Sequence, residues 1–426
     1  MTELEAPGKP ELDVRGDVYH FSWPCGIAAT VERFSEHRGE LGAEITISTT
    51  RPPRPGLLHS ARFNIMSTVA RATLARSLVQ RDPDLDWPAV LEGLCFLTRD
   101  RYREGEPSLD LRSFERVVTS RLFVAPFVER GGPTVLAAHG GSAKTRSACA
   151  IAVTAASGIP IIAELHGEPG PVLFLDYETD AETLDEIVTA ICAGAGITEK
   201  PAIHYRRMTA SLYESAATIR REVMRTGAVL AVVDSLGPAR GGDPNDAETT
   251  IRTFNAARSL TVPTLFTDHV NAADAASGDA KKPFGSTYTW NLARSVWMME
   301  RAQTEDENAI TVAFVNKKRN NGKMLSRFGY KIAFDNGPDD SVLGITFTKA
   351  DLSTIPGFAE RLPVRSRIVA LLRTRSLLKI HEIAEELGIP ADTVKKTVER
   401  NTKVFWKGPG PDGIHRVALL VRESAE

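Results

Sequence analysis

Thr134-Val-Leu-Ala-Ala-His-Gly-Gly-Ser-Ala-Lys144-Thr145, followed directly by the small-residue stretch 146–157, decides how this 426-residue chain is read. Thr134 to Ala138 is an apolar run that predicts a buried strand. It breaks at Gly140-Gly141, and helical composition begins after Lys144. A tight glycine turn between strand and helix presents successive backbone N–H groups, backed by the positive end of the helix, to a polyphosphate. His139, Gly140, Gly141, Ser142, Ala143 and Arg146 would line such a cradle. Lys144 would add a point charge at the β and γ phosphates, and Thr145 a hydroxyl for Mg²⁺. The stretch departs from G-x-x-x-x-G-K-[ST] twice, because Ala138 stands where the first Gly belongs and Ala143 just before the Lys. A strand-turn-helix corner with an incidental Lys-Thr is the other reading of these residues alone.

Downstream, strand and helix patterns alternate as they do in a parallel sheet with crossover helices. Strands are predicted at 134–138, 171–175, 229–233, 263–266, 295–300 and 310–315, so the expected class is α/β. Ligands collect at the carboxyl ends of such strands, and here those ends are polar. If the strand at 171–175 lies beside the first, Glu178 can orient a water toward a γ-phosphate. Asp176 on the same strand face is its rival, and a cap for the next helix is the structural alternative. Asp234 ends an apolar strand in the manner of a carboxylate supporting Mg²⁺ through metal-bound water or Thr145; capping the next turn is the alternative. Asp268-His269 ends a third strand, where His269 suits a phosphate sensor, with Asn271 as a weaker companion. Two long polar stretches, 237–249 and 271–285 with Lys281 and Lys282, lie on the ligand side. Lys317 and Arg319, past the last core strand, could stabilise charge on a transferring phosphoryl group, including that of a neighbouring subunit. A basic hairpin turn is the alternative.

Taken together and in this order, these pieces resemble the RecA-like ATPases over roughly 111–350, and most closely the plasmid RepA-type hexameric replicative helicases. The residues that carry the likeness are the loop 138–145, Leu175-Asp-Tyr-Glu178, Val232-Val-Asp-Ser235 with Gly242-Asp-Pro-Asn-Asp246, and Asp268-His269. Phe284-Gly-Ser286 before Asn291-Leu-Ala-Arg294, and Lys317-Lys-Arg-Asn-Asn-Gly322, complete it. The resemblance implies ATP and Mg²⁺ as cofactors, bound between the subunits of a homo-oligomeric, hexameric ring. It implies Glu178 as water activator, Asp234 at the metal, His269 as γ-phosphate or DNA-coupled sensor, and Lys317 with Arg319 as cations acting in trans. DNA would pass through a channel lined by the two polar stretches. Ala143 puts turnover in doubt, since a position whose dihedrals suit only Gly strains any other residue.

Three parts are expected: a small α+β domain at 1–110, the ATPase core at 111–355, and a winged helix-turn-helix domain at 362–426. In the first, strands are predicted at 27–34 and 43–49 after a loose start at 1–17, then helices at 61–80 and 87–102, the second capped by Asp86. Arg62, Arg71, Arg76 and Arg81 read as a solvated basic face. A connecting helix and lead-in loop are expected at 111–130. At the carboxyl end, helices at 366–375, 379–387 and 391–402 flank a Gly388-Ile-Pro390 turn, and a hairpin of 405–408 with 414–421 follows. Residues 364–426 hold twelve Lys/Arg and eight Asp/Glu, a local excess of +4 against −2 for the whole chain. Lys395, Lys396, Arg400, Lys403 and Lys407 would line the recognition helix and wing and contact DNA; a protein docking module is the alternative.

The net charge of −2 excludes attraction to nucleic acid by the molecule's overall field, leaving local patches to do it. Cys25, Cys95, Cys149 and Cys192 lack C-x-x-C spacing and read as reduced thiols of a cytoplasmic protein. No apolar run approaches the ~18 residues of a membrane span. The combined expectation is a Mg²⁺-dependent, DNA-associated ATPase, helicase-like or remodelling, of a plasmid, phage or mobile element. The alternative is a DNA-binding regulator or scaffold that uses ATP as an assembly ligand.

Overall fold

The computed structural model describes residues 4–15, 17–52, 55–105, 108–115, 120–270, 287–302, 306–339, 341–355, 357–410 and 412–420. The chain divides into two compact units, 1–117 and 118–426.

In the first unit, β1 (Glu11–Arg15), β2 (Val18–Ser22), β3 (Ile27–His37), β4 (Glu40–Thr49) and β5 (Gly56–Asn64) form an antiparallel sheet in chain order. Ile27, Ala29 and Val31 of β3, and Leu41, Ala43, Ile45 and Ile47 of β4, alternate onto one buried face, as a half-covered sheet requires. α1 (Thr68–Val79), capped by Ser67, and α2 (Trp87–Glu104), capped by Asp86, supply the rest of that core. Three expectations are corrected. Residues 11–15 are a strand paired with β2, since Leu12 and Val14 alternate with charges. The helix expected from residue 61 starts at Thr68, because β5 continues to Asn64, whose side chain accepts from the Met66 N–H and turns the chain. Arg62 therefore lies on a strand, apart from the helical arginines.

The second unit opens with β6 (Leu122–Ala125) and β7 (Val128–Glu129), where a connecting helix was expected. Phe127 between them is fully buried against Trp297 and Phe314, and that packing favours the short hairpin. Then come β8 (Thr134–Ala138), α3 (Lys144–Ser157), β9 (Glu164–Leu165), which pairs with β6, β10 (Val172–Asp176), α4 (Ala181–Gly194), β11 (Ile203–Arg207) and α5 (Leu212–Thr226). β12 (Leu230–Asp234), α6 (Leu236–Ala239), α7 (Ala247–Ser259), β13 (Thr264–His269), α8 (Thr287–Leu292) and β14 (Ser295–Arg301) follow. β15 (Ala309–Arg319), β16 (Phe328–Asn336) and β17 (Val342–Ala350) complete the sheet. The nine strands run in the order β11-β10-β12-β13-β8-β14-β15-β16-β17. The first six are mutually parallel and the last three antiparallel.

This is an α/β fold with a mainly parallel sheet. All six predicted core strands are present. β11, β16 and β17 lacked a signal, because their exposed and half-buried residues interrupt the apolar pattern. Both faces are covered: Leu136 and Ala138 of β8 face one core, Val135 and Ala137 the other. β17 lies against α4, where a Cβ on Gly194 would stand 2.1 Å from the Ile345 carbonyl oxygen. Only glycine permits that approach.

Last come α9 (Val364–Thr374), β18 (Leu377–Leu378), α10 (Ile380–Leu387), α11 (Ala391–Arg400), β19 (Phe405–Pro409) and β20 (His415–Leu419). Three helices pack on a three-stranded sheet ordered β18-β20-β19 around a separate small core. Gly388, at φ +61°, ends α10 in the left-handed conformation and leads into the expected Gly388-Ile-Pro390 turn.

Candidate nucleotide site

The parallel strands end together. Asp176 is level with Asp234 across β10 and β12, and His269 is level with Ala138 across β13 and β8. β13 separates β12 from β8, so β10 does not adjoin the glycine-turn strand, as the simplest placement of Glu178 had assumed. Glu178 reaches the same point from the loop beyond its strand.

That loop is held by Asp176. Its Oδ1 accepts the N–H groups of Glu178 (3.0 Å) and Thr179 (3.1 Å), and its Oδ2 accepts the hydroxyls of Thr179 (2.7 Å) and Tyr205 (3.2 Å). A buried carboxylate with four donors is a brace for the loop that carries Glu178. Glu178 Oε1 accepts the Ser235 hydroxyl and lies 3.3 Å from His269 Nε2, while His269 Nδ1 lies 3.4 Å from Lys144 Nζ. His269 therefore spans the gap between the cation and the carboxylate.

Asp234 is buried at the end of β12. Its Oδ2 accepts the Thr145 hydroxyl at 2.7 Å and its Oδ1 that of Thr267. Burial pushes its carboxyl up, the two hydroxyls oppose this, and the charges of Glu178 and Asp176 add to it. Lys144 is shifted the other way: burial lowers its ammonium, and the carboxylates of Glu178, Asp234 and Asp268 partly restore it. An ammonium desolvated among carboxylates, and a hydroxyl held on an acid, suit a bound polyphosphate with its metal.

The turn itself fits an anion. Gly141 has φ +71°, and a Cβ at Gly140 would meet nothing within 4 Å. Ala143 caps α3 at φ +60°, ψ +34° and supplies no side-chain cap hydrogen bond, which leaves the start of the helix without the cap that a Ser or Asp would give and open to an anion. The dihedrals are the left-handed ones that glycine tolerates best, so the strain expected of Ala143 is present. Ser142 is buried beside it, while His139 and Arg146 are half-buried and Gly140 and Gly141 exposed. The Arg146 guanidinium lies 5.1 Å from the Phe334 ring centre, over its face. Arg301, at the end of β14, donates to the Gly141 carbonyl at 3.0 Å. Sequence reading missed Arg301, although the strand-end rule that found Glu178 and Asp234 applies to it equally.

Other expected residues lie elsewhere. Arg319 is level with Ser295, and Ser295 with Thr134, so it stands at the amino end of β8, across the sheet from the glycine turn. Its Nε donates to the buried Glu129 at 2.9 Å. Lys317 is on the same strand, two residues earlier. Lys318 donates to the carbonyls of Trp290, Asn291 and Ala293 and so closes α8. Of the polar stretch 237–249, α6 and the start of α7 occupy much, with Asp246 capping α7. Asn271, Lys281, Lys282 and the Phe284-Gly-Ser286 motif lie outside the described residues. Lys395, Lys396 and Arg400 are exposed on α11, opposite the buried Val394 and Val398. Lys403 follows them, and Lys407 of β19 is held 2.9 Å from Glu399. Among the described residues no helix is long and apolar enough to cross a membrane.

Residues 106–275, which carry the glycine turn, Glu178, Asp234 and His269, match the family model of an AAA domain. Most of that stretch belongs to the α/β unit built on the mainly parallel sheet. Among solved structures, a KaiC-like protein from the hyperthermophilic archaeon Pyrococcus horikoshii OT3 is similar at 17% identity and a TM-score of 0.37, over 55% of this chain and 99% of that one. No curated protein matches.

Proposed function

We propose that the protein is a Mg²⁺-dependent ATPase that acts on DNA as a RepA-like helicase or remodelling motor in a ring of identical subunits. The observation that carries the ATPase reading is the connected set Lys144–His269–Glu178 beside Thr145–Asp234, at the ends of separate strands. Lys144 and the amides of the turn bind the phosphates. Thr145 and Asp234 would hold Mg²⁺, which, when bound, neutralises phosphate charge and orients the chain of phosphates. Glu178 orients water and takes its proton, with Ser235 and His269 fixing the carboxylate.

The DNA reading is supported by the carboxyl-terminal module. Its three helices and hairpin suit a winged helix, with α11 as recognition helix and Lys395, Lys396, Arg400, Lys403 and Lys407 toward phosphates. Lys317 and Arg319 stand at the far end of the sheet from their own turn, so any action on phosphate would be on a neighbouring subunit's nucleotide, for which Arg319 would have to leave Glu129. ATP turnover stimulated by DNA and lost in Lys144→Ala supports the proposal; turnover indifferent to both rejects it. Ala143 in its left-handed conformation favours a second reading, in which ATP is bound and turned over slowly as an assembly ligand of a DNA-binding scaffold. ATP-driven unwinding of a forked duplex excludes that one.

A further inference from the structure

Arg240 and Asp268 are both buried, and Asp268 acts on the phosphate site through its charge on Lys144. Arg240 Nη2 lies 3.6 Å from Asp268 Oδ2 and donates to the hydroxyl of the buried Thr289 at 2.8 Å. Desolvating two opposite charges cancels much of their attraction, and an apolar pair of the same volume commonly supports a fold as well. Stability alone therefore does not account for the pair.

Its position does. Asp268 Oδ1 accepts the N–H of His269 at 2.9 Å, so the carboxylate that Arg240 holds also fixes the main chain from which the imidazole projects. Arg240 follows α6, which begins directly after Asp234 and Ser235. Thr289 belongs to α8, whose last carbonyls are bonded by Lys318 of β15. One guanidinium thus joins the segment after the Asp234 strand, the residue before His269, and a helix anchored on the far side of the glycine-turn strand.

We propose that Arg240 is a positioning residue: the buried Arg240–Asp268–Thr289 tie holds His269 between Lys144 and Glu178 and makes its placement depend on α8. With the tie cut, the glycine turn and its amides keep their place while Lys144 and Glu178 lose the imidazole between them. Substrate binding and turnover then respond separately. The inference rests on the ATPase reading and adds to it a route by which α8 can govern hydrolysis.

The test uses the full chain and the variants Arg240→Met, Arg240→Met with Asp268→Asn, Thr289→Val and His269→Ala, with Lys144→Ala as control. ATP affinity, ATP turnover and thermal melting are measured for each. The expected result is a kcat at least tenfold lower for the Arg240 variants and about threefold lower for Thr289→Val, with ATP affinity within twofold of wild type. Adding His269→Ala to Arg240→Met is expected to cause no further loss beyond His269→Ala alone, since residues acting as a unit are not additive. The charge-neutral double variant covers the case in which Arg240→Met fails to fold. Without nucleotide, the His269 imidazole NMR signal, assigned by its loss in His269→Ala, is expected to shift in Arg240→Met with Asp268→Asn and in Thr289→Val. Turnover within twofold of wild type in these two variants, losses that multiply with that of His269→Ala, or an unmoved imidazole signal overturns the inference. Absence of wild-type turnover sinks the ATPase reading and this inference together, whereas turnover lost only in Lys144→Ala sinks this inference alone.

Discussion

Thr145 donates its hydroxyl to Asp234 at 2.7 Å across 89 residues of sequence, joining the first turn of α3 to the end of β12. The contact spans β13, which lies between β8 and β12, and it places a neutral oxygen and a carboxylate side by side where the phosphate cradle ends. Thr145→Ala and Asp234→Asn are each expected to raise the Mg²⁺ concentration needed for half-maximal ATP turnover by tenfold or more. A Mg²⁺ titration of ATP hydrolysis reads this directly, and an unchanged midpoint removes both residues from the metal site.

Glu178→Gln keeps the acceptor for Ser235 but removes the proton-accepting charge. Turnover is expected to fall by about 10²–10⁴-fold, the usual worth of general-base catalysis, with ATP affinity retained. Equal losses in binding and turnover count against Glu178 as the base. Asp176→Asn is expected to be milder in catalysis and harsher in stability, since Asp176 organises the loop through four hydrogen bonds.

Ala143→Gly relieves a left-handed residue at φ +60°. Removing a left-handed cost of about 1–2 kcal/mol, less the entropy that glycine adds to the unfolded chain, leaves a gain of about 0.5–1 kcal/mol. Chemical denaturation is expected to show it, with ATP turnover faster than wild type. A destabilised Ala143→Gly variant contradicts the strain at this position.

Burial raises the Asp268 carboxyl to about 7, while Arg240, the His269 N–H and Lys144 pull it down less and Glu178 adds slightly to the rise. The folded state therefore binds this proton more tightly than the unfolded chain, whose Asp titrates near its ordinary value of about 3.9. The resulting stabilisation is complete below that ordinary value and is lost as pH rises through about 7. Asp268→Asn is expected to flatten the pH dependence of unfolding across this window. An unchanged slope means that Asp268 does not titrate there.

Lys395→Ala, Lys396→Ala and Arg400→Ala on the exposed face of α11 are expected to weaken duplex DNA binding. Each lost phosphate contact lowers the slope of log affinity against log salt by about 0.9. Fluorescence anisotropy at several salt concentrations checks this, and an unchanged slope in the triple variant assigns α11 another partner.

The sequence by itself determined the glycine turn, the parallel strands and the polar ends where Lys144, Glu178, Asp234 and His269 stand. Those features are local: apolar runs, turn residues and a carboxylate after a strand declare themselves within a dozen residues. It also located the three carboxyl-terminal helices, whose apolar positions recur at helical spacing. Tertiary structure alone decided that β13 separates β12 from β8, that Asp176 braces Glu178, and that Arg301 meets Gly141. It also decided that Arg240 finds Asp268 and Thr289. Strand order, and a hydrogen bond between residues 160 positions apart, depend on which surfaces pack, and no short window of sequence carries that information.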